Sequence, residues 1–131
     1  MELSRQLSVI LESLEEYTKE HIWYIFDVLG SSQCSFDELF PLDAENKTMV
    51  TSTNRLIDKG KEVIQFESGV FIAIRKDKKI NWETDFLPVT EEDEGLQHPF
   101  ADIEIRAFDY SYFEIFGMDF EVEKKILKHL E

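Results

Sequence analysis

One cysteine, five glycines and three prolines are spread through 131 residues, and each scarcity closes off a class of chemistry. Cys34 has no second thiol with which to form an intramolecular disulfide, a CxxC redox pair or a zinc pair, which fits a reducing compartment. No family signature of a thiol enzyme surrounds it. So few glycines form neither a GxGxxG nor a GxxxxGK loop, which excludes a Gly-rich nucleotide cradle. His21, His98 and His129 lack HxH, HExxH or HxxxH spacing, so no metal site is expected, and no other cofactor is implied.

Positive charge is scarce as well. Fourteen Lys+Arg stand against 28 Asp+Glu, a formal net charge of −14. Such a field repels nucleic-acid phosphates and anionic lipid surfaces and attracts cationic proteins, so binding to nucleic acid or membrane is disfavoured. No window approaches the roughly 18 apolar residues of a membrane span. "MELSRQLSVILESLEEY" carries Glu2, Glu12, Glu15 and Glu16 where a signal peptide needs a cationic start and an unbroken apolar run. A cytoplasmic protein is the expectation.

What the chain does have is apolar material, 43% hydrophobic and 13% aromatic residues, enough for one ordered domain spanning residues 1–131. Leu3, Leu7, Ile10, Leu14 and Tyr17 recur at helical spacing and predict an amphipathic N-terminal helix. "HIWYIFDVLG" is apolar on both alternations and reads as an inner strand covered on both faces. In "SSQCSFDELFP", Ser35 and Glu38 have capping-box spacing and Pro41 limits the helix to about one turn. "TMVTST" favours a strand, and "NRLIDKG" a short helix with Gly60 as its left-handed C-terminal residue. "EVIQFESGVFIAIRKD" reads as a hairpin reversing at Ser68-Gly69, followed by the one concentrated basic patch, Arg75, Lys76, Lys78 and Lys79. "INWETDFLPV" predicts a further strand ending at Pro88, and residues 90–99 an exposed loop. "DFEVEKKILKHLE" predicts a C-terminal helix capped by Asp119. The fold expected is α+β: N-terminal helix, a mainly antiparallel sheet of about five or six strands, and a C-terminal helix packed on it.

The stretch "ADIEIRAFDYSYFEIFG" is too long for one strand and reverses near Asp109. A two-residue turn mixes polar and apolar groups on both faces. A three-residue loop, Asp109-Tyr110-Ser111, pairs Phe108 with Tyr112, Ala107 with Phe113, Arg106 with Glu114 and Ile105 with Ile115; a five-residue loop has the same parity. Ile103, Ile105, Ala107, Phe113 and Ile115 then share a core face, while Phe108, Tyr112 and Phe116 share the other with an Arg106/Glu114 ion pair. That second face is either covered by this chain or open to a partner. As a partner site it comprises Arg106, Phe108, Tyr110, Tyr112, Glu114 and Phe116, because aromatics beside Arg are enriched at interfaces. Glu91, Glu92, Asp93 and Glu94 lie at its rim. These acids lack the alternating oxygen ligands and central Gly of an EF-hand loop, and carboxylates are too plentiful elsewhere to single out a glycosidase pair. No nucleophile with a base is apparent, so the chain is not read as an enzyme.

The acidity, the size, the helix-first pattern and "IEIRAFDYSYFEIFGMDFEVEKKILKHL", read as strand, turn, strand, helix, resemble small uncharacterised bacterial proteins, some similar to the immunity proteins of toxin systems. The resemblance covers residues 101–131, with an echo in "HIWYIFDV". It implies a cytosolic binding protein, and it transfers no family residues. The leading expectation is a protein that neutralises a cationic protein partner. A self-associating or regulatory module is the alternative, with a homo-oligomer possible, and a small-ligand protein or enzyme comes after it.

Overall fold

The computed structural model describes residues 3–43, 47–82, 87–109 and 112–117. Its elements in chain order are α1 (Leu3–Ser13), β1 (His21–Ser32), α2 (Phe36–Leu39), β2 (Met49–Thr51), α3 (Thr53–Glu62), β3 (Val63–Arg75), β4 (Ala101–Phe108) and β5 (Tyr112–Gly117). The strands form one five-stranded sheet in the order β2-β1-β3-β4-β5, and every pairing is antiparallel. The class is therefore α+β. The C-terminal helix expected from Asp119 onward lies outside the described residues, as does Tyr110.

Central strands need apolar residues on both alternations, and β1 and β3 supply them. One face of the sheet carries Trp23, Ile25, Phe71, Ala73, Ile103 and Ile105 and packs beneath the helices. From α1 come Leu7, Ile10 and Leu11, with Leu14 just beyond its end, and from α3 Leu56 and Ile57. Leu11 widens the stripe beyond the residues the periodicity singled out, as a helix laid on a sheet requires more than a single-file seam. Trp23 is wholly buried, and its indole N–H donates to Thr53 Oγ1 at 2.8 Å, satisfying the polar end of an otherwise apolar side chain.

The opposite face carries Phe26, Val70, Ile72 and Ile74, and it is closed by Ile80, Trp82, Leu87 and Leu96. All four belong to the long connection between β3 and β4. Ile80–Trp82 and Leu87–Val89 contain no strand, contrary to the strand expected to end at Pro88; residues 83–86 lie outside the described set.

Two further expectations are corrected. β3 passes straight through Ser68-Gly69 as one 13-residue strand instead of reversing there. Glycine is used for close approach: a Cβ on Gly69 would meet the Phe71 ring, and the Gly69 N–H donates to Thr90 Oγ1 at 3.1 Å. Gly60 sits inside α3 rather than at a left-handed end, facing Ser8 and Leu7 of α1, where the two helices come close. Ser35 does precede α2, but its side chain makes no capping bond.

Candidate functional site

The reversal at Asp109 occurs where the three-residue loop puts it. Phe108 pairs with Tyr112, Ala107 with Phe113, Arg106 with Glu114 and Ile105 with Ile115, and Asp109 takes a left-handed φ of 44°, which Asp tolerates better than most residues. Ile103, Ile105 and Ala107 are fully buried on the helix face, with Phe113 and Ile115 packed against them.

On the outer face, the connection between β3 and β4 is fastened by two side chains of β4. Glu104 and Arg106, two residues apart and so on the same side of the strand, are 0% and 1% exposed and joined by an Nε–Oε2 hydrogen bond of 2.5 Å. The guanidinium also donates to the carbonyls of Glu92 (2.8 Å), Asp93 (3.0 Å) and Gly95 (2.7 Å). Glu104 accepts from the Gln97 N–H and side-chain amide, both at 2.8 Å. Gln97 in turn exchanges two hydrogen bonds with the Val89 backbone. A buried charge pair is tolerated only when its remaining donors and acceptors are filled, and here the acidic loop's own backbone fills them. The side chains of Glu91, Glu92, Asp93 and Glu94 remain exposed.

Arg106 thus pairs with its strand neighbour Glu104 rather than with Glu114, which stands opposite it in register. Its guanidinium carbon lies 4.5 Å from the centre of the Phe116 ring, a cation–π contact. Among the residues singled out from sequence, the structure brings together Arg106, Phe108, Tyr112, Glu114 and Phe116 on the outer side of β4 and β5. Phe108 is largely buried at 8% exposure, Tyr112 is 48% exposed, and Glu114 and Phe116 are half-buried.

Beyond the reach of the connection, one row of the outer face is exposed at its two ends, Leu29 and Tyr112. Leu29 pairs with Ser68, Ser68 with Phe108 and Phe108 with Tyr112, so the four stand in line across the sheet. The Phe108 and Tyr112 rings stack at 5.1 Å with planes 12° apart. Leu29 is 55% exposed. It was not singled out from sequence because a bulge turns it outward: Phe26 faces Val70 and Leu29 faces Ser68, so β1 carries one extra residue there. That residue is Asp27, at φ 52°. The bulge returns Val28 to the helix-face core and leaves Leu29 on the outside. Asp27 also ties in the connection, its carboxylate accepting from the Thr90 N–H at 2.9 Å.

Exposed acids surround this row: Asp27 on β1, Glu67 on β3, Asp109 at the turn and Glu91–Glu94 on the connection. Farther along the same face, burial raises the Tyr24 hydroxyl pKa and lowers that of His98, which lies against Trp82 and Phe100. Among the described residues, no group of three or more His, Cys, Asp or Glu is placed to hold a metal ion, and no helix is long and apolar enough to cross a membrane. Glu104 and Gln97 also escaped sequence reasoning, although the alternation Ile103-Glu104-Ile105-Arg106 already places the two charges on one face. The chain matches no protein-family model, no curated protein and no solved structure.

Proposed function

We propose that this chain is a cytoplasmic protein-binding protein that engages a cationic protein partner through the outer row of its sheet, and that it serves as an immunity protein or inhibitor. The observation that carries this reading is the row Leu29, Ser68, Phe108 and Tyr112, exposed at Leu29 and Tyr112 with Phe108 buried between them, beside exposed acids. Exposed aromatic and aliphatic surface supplies the part of an interface that loses water on binding, and the acids around it steer a basic surface into place. Glu91–Glu94 have a fixed position from which to act, because Arg106 holds the backbone beneath them.

The net charge of −14 favours a basic partner over self-association through the same row, since two copies would bring like charges together. The test is co-expression with the product of an adjacent gene encoding a basic protein. Growth restored by this chain, together with a complex isolated at low salt, supports the reading; no protection and no complex would remove it.

A further inference from the structure

The basic patch read from the sequence stands at the other end of the sheet from Tyr112. Arg75 closes β3 next to the Ile74–Ala101 pair that opens β4, and the Lys78 N–H donates to the Arg75 carbonyl at 3.1 Å in the turn that follows. Arg75, Lys76, Lys78 and Lys79 are all exposed. Asp77 lies 3.7 Å from Arg75, and Glu20 adjoins the patch through its carbonyl, which accepts from the Lys76 N–H. Lys78 and Lys79 face no carboxylate within ion-pair distance among the described residues. In a chain of charge −14, this is a local reversal of sign.

The patch also carries an aromatic ring. Lys78 Nζ stands 5.2 Å from the centre of the Phe100 ring, and Phe100 is 44% exposed. Phe100 touches His98, His98 lies against Trp82, and Trp82 packs on Tyr24 and Phe26, so this ring belongs to the outer face of the sheet. Tyr112 belongs to the same face. Phe100 immediately precedes β4 and Phe108, the partner of Tyr112, ends it, so eight residues of extended chain set the two exposed aromatics about 27 Å apart. One stands among acids and the other among lysines.

We infer that this face pairs with a second copy of the chain, turned end for end about a two-fold axis that passes near the middle of β4. Laid row on row, two copies would bring acids against acids. The two-fold turn instead sets Tyr112 and Glu91–Glu94 of each copy over Phe100, Lys78 and Lys79 of the other, so one face of mixed sign is complementary to itself twice over. Both exposed aromatics lose water in the same step. The net charge of −14 opposes pairing as a whole, but beyond about 8 Å it is screened at physiological salt, whereas the facing side chains sit closer than that. Because each end is used once, the assembly closes at two copies. A basic partner arriving at Tyr112 has to displace the second copy; the pairing itself needs no such partner, so it is tested without one.

The experiment is sedimentation equilibrium of the full chain at fixed ionic strength, at concentrations up to about 1 mM. Three samples accompany the parent: Lys78→Glu with Lys79→Glu, Glu91→Lys with Glu94→Lys, and an equimolar mixture of these two variants. All four positions are exposed, and unchanged circular dichroism shows that each variant keeps its fold. The parent is expected to follow a single monomer–dimer equilibrium. Each double variant should dimerise at least about tenfold more weakly, including Glu91→Lys with Glu94→Lys, although that variant carries less net charge. The mixture should recover affinity to within about threefold of the parent, since both of its contacts again join opposite signs. A parent that stays monomeric, growth past the dimer, a double variant that pairs as the parent does, or a mixture no tighter than its components would each overturn the proposal.

Discussion

Arg106 decides how the outer face is built, because its guanidinium meets a buried carboxylate and three carbonyls of the connection at once. Removing it strands Glu104, which is 0% exposed. Arg106→Met is expected to cost about 3–5 kcal/mol in urea unfolding, the range for an orphaned buried charge. Glu104→Leu combined with Arg106→Met should cost clearly less than the sum of the single changes, since no charge is then left unpaired. Strict additivity would show that the two side chains act independently. His98 makes a separate prediction. Burial lowers its pKa from the ordinary value near 6.5, and its Nδ1 accepts from the Phe100 N–H at 3.0 Å, a bond available only to the unprotonated nitrogen. As pH falls, the unfolded chain takes up this proton first. The stabilisation is therefore complete above about pH 6.5 and is lost as pH drops through the lowered folded value. The urea midpoint of His98→Gln should decline less between pH 7.5 and 5 than that of the parent chain; parallel declines would show that His98 is not the group responsible.

At the scale of the element, the register of β4 against β5 was legible because only one loop parity gathers Ile103, Ile105, Ala107, Phe113 and Ile115 on a single face, and packing enforces that grouping. The same reasoning failed at Ser68-Gly69. Local turn chemistry was present there, but the strand is held straight by partners far away in sequence, Phe108 and Ala107 on one side and Leu29 on the other. Bulges were likewise illegible, since an extra residue is defined only against its partner strand. Leu29 and the reach of Asp102 to His21 both depend on one. The Asp27 bulge is open to direct test. Asp27→Ala loses both a residue that tolerates φ 52° and the acceptor for the Thr90 N–H, and should cost about 1–3 kcal/mol. Hydrogen exchange at Gly69, whose N–H donates to Thr90 Oγ1, should accelerate in that variant. Asp27→Asn keeps both features and should behave as the parent does; equal losses in the two variants would assign the effect to charge alone.

For the whole molecule, the sheet divides the labour. One face is closed by helices and the other by the long connection, and where that connection ends Leu29 and Tyr112 stand open among acids. The charge of −14 was readable from composition, but its placement around an apolar row was not, because the row is assembled from four strands. Neutralising Glu91–Glu94 together should slow association with a basic partner and flatten its dependence on salt, while leaving dissociation nearly unchanged. The measurement that bears most directly on the binding face is a parallel capture from cell extract with the parent chain and with Tyr112→Ala, each bound protein identified and its dissociation rate then measured. A basic protein held by the parent, weakened by about 2 kcal/mol or more in Tyr112→Ala through faster dissociation, is the expected result. Partners that are not basic, or a basic partner released at the same rate from both chains, would contradict the assignment of this face.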